Sequence, residues 1–142
     1  MESVFYQFRE REIMSDSFVV DNEIGKIVLT KNIVVQIVSE VIEETDGVRL
    51  AGFKEMLSRV KNNIAVDFNA DGAPDIDVYV VIKFGTSISN STYAIINEVK
   101  NRILNVMETA PAAVNIHIVG TQTKKGIAKR NIEVRRRYDA SE

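Results

Sequence analysis

Residues 74–88, PDIDVYVVIKFGTSI, constrain the fold of this chain more than any other stretch. The run opens on Pro74 and alternates in period two. Ile76, Val78, Val80, Ile82 and Phe84 fall on one side; Asp77, Tyr79, Val81 and Lys83 fall on the other. β-Branched and aromatic residues in that alternation predict a half-buried strand, apolar toward a core and mixed on its second face. Gly85 supplies a turn without steric cost, and an amphipathic helix is expected about one turn later.

The rest of the chain is read around that strand. Residues 1–24 form an N-terminal extension in which Val4, Phe5, Tyr6, Phe8 and later Phe18 to Val20 suit neither helix nor strand. Termini fray easily, so a partly ordered arm is expected, or one whose aromatics anchor on a neighbouring subunit. Residues 25–29 read as a short strand, with Thr30 placed to cap a helix over about 31–45. Ile33, Ile37 and Val41, with Val34, Val38 and Ile42, make one helical stripe. β-Branched residues are weak intrinsic helix formers, so this helix must lean on a sheet. Gly47 suits its left-handed end.

Residues 48–52 read as a second short strand. Phe53, Met56, Leu57 and Val60 fit a helical turn or two, whereas Asn62-Asn63 looks like a turn. Ile64, Val66 and Phe68 alternate as a strand, and the turn-rich segment 69–74 leads from it into the central one. After Gly85, one of Ser87, Ser89 or Asn90 should cap a helix over about 89–108. Its core stripe is expected at Tyr93, Ile96, Val99, Ile103 and Met107, and Pro111 confirms its end. Val114, Ile116 and Ile118 alternate with Asn115 and His117 in a last strand closed by Gly120.

The order β-α-β-β-α-β predicts an α+β two-layer sandwich, a mixed three- to five-stranded sheet with two main helices on one face. The expected core comprises Ile33, Ile37, Val41, Val66, Val78, Val80, Ile82, Ile96, Val99, Ile103, Ile116 and Ile118. The core domain is placed at residues 25–121, followed by a basic C-terminal tail at 122–142.

Charge supports that division. Residues 1–123 carry 11 Lys and Arg against 17 Asp and Glu, a net of -6; residues 124–142 carry 7 against 3, a net of +4. The chain has no cysteine, which excludes disulfides, thiolate metal sites and a thiol nucleophile. No run approaches the roughly 18 apolar residues of a membrane span, and the acidic start MESVFYQFRERE lacks the pattern of a secretory signal. A soluble cytoplasmic protein is expected.

Several motifs carry the resemblance of this chain to a known family. A Gly-Lys-Ile-x-Leu segment leads into the Ile/Val helix that ends at Asp46-Gly47-Val48. Asp71-Gly72 leads to the strand Asp-Val-Tyr-Val-Val-Ile-Lys-Phe-Gly of residues 77–85, followed by Ile88 and a helix. Val114-Asn115-Ile116-His117-Ile118 closes the pattern. Over roughly residues 25–121 this resembles the alkaline shock protein family of Gram-positive bacteria, which also includes general stress proteins. The resemblance implies a small cytoplasmic, non-enzymatic protein linked to cell-envelope homeostasis and stress tolerance. Some members are held at the inner face of the membrane by an anchored relative, and some self-associate. The family has no agreed catalytic residues, so none is carried over.

The residues themselves point to contact rather than chemistry. His117 is the sole histidine, so a multi-histidine zinc site is excluded; it reads as a solvated or hydrogen-bonded side chain, or as a pH-sensitive contact. Asp67, Asp71, Asp75 and Asp77 crowd one hairpin but lack the calcium-loop spacing, and turn chemistry accounts for them. Ser87, Ser89, Ser91 and Thr92 read as helix capping, since no glycine-rich phosphate loop accompanies them. No catalytic residue, cofactor, metal or small-molecule substrate is expected.

Two surfaces are expected to bind partners. Asp67, Asp77, Tyr79, Val81, Lys83, Asn115 and His117 should face away from the helices, as a protein-partner or self-association face. Lys124, Lys125, Lys129, Arg130, Arg135, Arg136 and Arg137 should form a solvated tail for an anionic partner. An anionic membrane surface fits it, and nucleic acid is the weaker alternative because Tyr138 is the one aromatic nearby. The expected function is therefore a scaffold or adaptor, with an RNA- or ribosome-associated module as the alternative.

Overall fold

The computed structural model describes residues 23–52 and 62–138, with side chains described from residue 30 onward. The chain divides into two compact units, residues 1–33 and 34–142. Of the first, the described part is residues 23–33, the opening turns of a helix. The expectations for Phe5 to Phe8 and for Phe53 to Val60 lie outside the described residues.

The elements run α1 (Glu23–Glu44), β1 (Val48–Leu50), β2 (Ile64–Phe68), β3 (Pro74–Lys83), α2 (Ile88–Met107), β4 (Ala113–Thr123) and β5 (Gly126–Arg137). The five strands form one mixed sheet. β3 and β4 are parallel, joined through α2, while every other pair is antiparallel. β1 and β2 lie end to end along one side of β3: Val48 to Leu50 face Ile82 to Val80, and Ile64 to Phe68 face Val78 to Pro74. β4 holds the other side of β3, and β5 closes the sheet against β4.

The central alternation behaves as the sequence predicts. Ile76, Val78, Val80 and Ile82 of β3 are buried with Val114, Ile116 and Ile118 of β4. Val34, Ile37, Val38, Val41 and Ile42 of α1 and Ile95, Ile96, Val99 and Ile103 of α2 complete the same apolar cluster. Both helices therefore pack on one sheet face, and the fold is an α+β two-layer sandwich.

Local chemistry sets the element ends. Ser87 caps α2, its Oγ accepting the Asn90 N–H at 3.2 Å, and Glu108 ends it in the left-handed region. Gly47 has φ +78°, and a side chain there would collide with Thr86; the turn between α1 and β1 therefore needs glycine. Arg102 of α2 bridges the two helices, bonding Glu98 at 2.8 Å and Glu44 of α1 at 2.5 Å. Those hydrogen bonds hold its guanidinium above the ordinary arginine value.

Several expectations are corrected. Residues 25–29 are the early turns of α1 rather than a strand; Ile24, Ile27 and Val28 continue the three-and-four spacing of its later stripe. Ile33 is 36% exposed, since the buried stripe runs through Val34, Val38 and Val41. Tyr93 is exposed as well: the α2 core stripe is Thr92, Ile95, Ile96, Val99 and Ile103, starting one position N-terminal to the expected Tyr93. Phe84 lies beyond the end of β3 and is 73% exposed.

The largest correction concerns the C-terminal segment. Residues 126–137, expected in a solvated tail, are β5 and pair with β4 from Thr123↔Gly126 to Ala113↔Arg137. β4 itself continues past Gly120 to Thr123. The register shifts between Ile118 and Gly120 against both neighbours: Val119 is an extra residue relative to β3, whereas against β5 it faces two residues, Arg130 and Asn131. Such a bulge swaps which alternate residues face which side. Asn115 and His117 share their face with Gly120 and Gln122, not with Val119.

Two outcomes test this architecture by urea denaturation. Ile116→Ala, which opens a cavity under the helices, should cost about 2–5 kcal/mol, while Ile132→Ala, at a partly exposed edge site, should stay within about 1 kcal/mol. A chain ended after Thr123 should lose cooperative unfolding or more than about 2 kcal/mol, because β4 would be left with an unpaired, buried-sided edge.

Candidate functional site

The side of the sheet away from the helices is assembled from alternate residues of all five strands. Asp75, Asp77, Tyr79 and Val81 come from β3, Asn115 and His117 from β4, and Glu133 and Arg135 from β5, by register. Asp67 of β2 lies opposite Asp75, and Arg49 of β1 opposite Val81. Among the described residues, no helix lies over this face.

At its centre the side chains are bound to one another. Asn115 is 1% exposed, and its Nδ2 donates to Asp75 Oδ1 at 3.1 Å and Asp77 Oδ1 at 3.0 Å. Two carboxylates need donors, which fixes the carboxamide with its NH2 toward them. Its Oδ1 is left buried with no hydrogen-bond partner. His117 Nε2 stands 2.9 Å from the same Asp77 Oδ1 and 3.9 Å from Glu133 Oε2. The imidazole stacks on the Tyr79 ring, centroids 4.4 Å apart and planes 11° from parallel. Arg135 Nη2 reaches Glu133 Oε2 at 3.4 Å.

Of the residues expected on this face, Asp77, Tyr79, Asn115 and His117 come together. Asp67 and Lys83 lie on it but are exposed and apart from the cluster. Val81 is 1% exposed and cannot serve as an apolar anchor for a partner. The bulge is the reason: beyond Val119, Gly120 sits beside Val81, and Ile127 of β5 fills the space that a glycine leaves. A Cβ on Gly120 would lie 2.6 Å from Ile127 Cγ2 and 3.6 Å from Val81 Cγ2. Sequence reasoning missed Asp75 and Glu133 as cluster members. Asp75 was attributed to a turn, and Glu133 needed the register of a strand that was not foreseen.

The seven basic residues do not form one patch. Lys124 and Lys125 occupy the turn between β4 and β5, lining a groove with Lys83, Arg49 and the exposed Phe84. Arg135, Arg136 and Arg137 lie at the opposite end of β5, beside Asn115, Val114 and Ala113. At about 3.4 Å per residue the two groups are roughly 35 Å apart. Strand alternation also divides the arginines: Arg135 and Arg137 share the face of Asn115, whereas Arg136 lies toward the helix side, its guanidinium 5.0 Å from the centre of the Tyr138 ring. Lys129 and Arg130 are exposed between the two groups.

Comparison with known proteins places these elements in context. Residues 19–123 match the model of the alkaline shock protein 23 family, described as having a cell envelope-related function. The uncharacterized protein YqhY of Bacillus subtilis (strain 168) is 30% identical over 110 residues, covering 72% of this chain and 81% of its own length. The uncharacterized protein Spy1535 of Streptococcus pyogenes serotype M6 is 24% identical over 107 residues, covering 72% of this chain and 83% of its own. No solved structure gives a significant match. The family match stops where β4 ends, so β5, with Glu133 and the arginines, lies outside it.

Asn115 is expected to hold the cluster together. Asn115→Ala removes the shared donor of two carboxylates, and it should cost about 1–3 kcal/mol in chemical denaturation. A negligible cost would mean that solvent satisfies Asp75 and Asp77 without it.

Proposed function

The chain belongs to the alkaline shock protein 23 family, whose function is cell envelope-related, and from that premise we propose that it is a non-catalytic scaffold or adaptor. It acts in cell-envelope homeostasis or the stress response through protein–protein contacts, including contacts with a second copy of itself. The observation that carries this reading is the two-sided character of the sheet. Both helices pack on one face, while the other presents the Tyr79–His117 stack within a ring of charge. An aromatic pair amid polar groups can anchor a partner and fix its register by hydrogen bonds.

The basic end of β5 suits an anionic membrane surface at the inner face of the cell envelope. Arg135 and Arg137 stand beside the proposed contact face, and each basic residue near an anionic bilayer contributes about 1 kcal/mol. No described helix is long and apolar enough to cross a membrane. Binding to RNA is the weaker reading, because the cations are divided between two distant ends rather than tracking one groove.

Tyr79→Asp tests the contact face. It places a charge at the stack and leaves the helix-side core intact, so light scattering should show assembly lost with the helical circular dichroism retained; assembly that survives rules this face out. Replacing Arg135, Arg136 and Arg137 with alanine should leave the fold intact. It should weaken co-sedimentation with phosphatidylcholine vesicles containing phosphatidylglycerol by roughly a hundredfold, from about 1 kcal/mol per residue. The difference should shrink as salt rises; RNA binding that falls while vesicle binding holds would reverse the order of the two readings.

A further inference from the structure

We propose that Asp77, His117 and Glu133 form a binding site for a divalent transition-metal ion of the zinc class. The three ligand atoms, Asp77 Oδ1, His117 Nε2 and Glu133 Oε2, all lie within 4.8 Å of one another. Each comes from a different strand, β3, β4 and β5, so the sheet hydrogen bonds hold their backbones in place. His117 and Glu133 are directly opposite in register, and Asp77 is diagonal, one pair away, since Tyr79 faces His117.

The spacing fits a small ion. Zinc bonds of about 2.0–2.1 Å in a tetrahedral shell put neighbouring ligand atoms about 3.3–3.4 Å apart. The histidine nitrogen is 2.9 Å from the aspartate oxygen and 3.9 Å from the glutamate oxygen, on either side of that value. Small side-chain rotations bring all three onto one ion. Glu133 must turn from Arg135, a single exposed contact at 3.4 Å. With its proton on Nδ1, the imidazole offers the Nε2 lone pair to the ion.

The surroundings provide what such ligands need. Tyr79 stacks on the imidazole and holds the plane of the ring. Asn115 Nδ2 donates to the very oxygen of Asp77 that faces His117, the outer hydrogen bond that orients a ligating carboxylate. The Asn115 Oδ1, buried and without a partner, is an acceptor ready for a metal-bound water. Such a water takes the coordination position that three protein ligands leave open. This buried oxygen is an observation separate from the ligand spacing.

The donor set decides the class of ion. One imidazole with two carboxylates suits zinc and its neighbours, whereas magnesium and calcium take oxygen shells. The chain has no cysteine and no second histidine, so His117 is the one strong soft-side donor. Bound there, the ion ties the edge strand β5 to the central pair β3 and β4.

The test uses the full chain, stripped with a chelator and titrated with zinc chloride. Calorimetry should give one ion per chain, with a raised melting temperature and no response to magnesium. The single histidine makes the NMR assignment of its ring signals unambiguous, and they should shift on zinc binding. Glu133→Gln, at an exposed edge position, and His117→Gln should each weaken binding at least tenfold. Circular dichroism establishes that each variant is folded; if His117→Gln is not, Glu133→Gln and the ring signals decide. Ring signals that stay in place at saturating zinc, or affinity unchanged in Glu133→Gln, overturn the proposal.

Discussion

The fold depends on β3. Like β4, it has partners along nearly its whole length on both sides, β1 and β2 on one edge and β4 on the other. Its helix-side residues, Ile76, Val78, Val80 and Ile82, are 0–2% exposed. A strand so enclosed has to satisfy every backbone group within the sheet, and here each neighbour does part of that work. Tyr79 marks the join of the edge strands: its N–H donates to Asn63 and its C=O accepts from Ala51 at 2.8 Å each. The helices follow from the same strand. α1 is rich in valine and isoleucine, poor helix formers by themselves, and the apolar side of β3 and β4 gives their side chains a place to be buried.

The bulge at Val119 shapes the opposite face. Before it, β4 turns Asn115 and His117 toward the carboxylates of β3. After it, the alternation reverses and Gly120 takes the open side, letting Val81 and Ile127 meet over a residue without a side chain. The result is a polar, aromatic cluster near one end of the sheet and an apolar plug near the other. A chain without the bulge would turn Val119 outward and Gly120 toward the core, exposing apolar surface where the protein keeps it covered.

Much of this was legible in the sequence, and the misses have physical causes. Period-two alternation over β3 and Val114 to Ile118 gave the sheet, its core side and the residues Asp77, Tyr79, Asn115 and His117 as face mates. Alternation is unambiguous when one side is fully apolar. Residues 25–29 failed because five apolar-rich residues fit a strand as well as a helix. β5 failed for a different reason: its arginines and lysines are what an exposed edge strand uses to discourage pairing with other chains, and the same composition describes a solvated tail. With β5 unseen, Glu133 could not be placed beside His117. Nor could the separation of the basic residues into two groups be foreseen, because a tail has no register. Burial of Val81 depends on an insertion of one residue, which apolar periodicity does not report.

The connectivity of the sheet has a consequence for how the chain reaches this state. β2 and β3 are joined by residues 69–73, and β4 and β5 by Lys124 and Lys125, so each pair is a hairpin whose strands meet locally. Hairpins of this kind close in about 1–10 μs. The parallel contact of β3 with β4 is different: Asp75 meets Ala113 only after α2 has spanned the sheet, and loop closure must be met before that contact gives anything back. Folding is thus the docking of two quick hairpins through one slow crossover. Until it occurs, β3 keeps one edge open, and during synthesis that edge emerges well before the strand that will cover it.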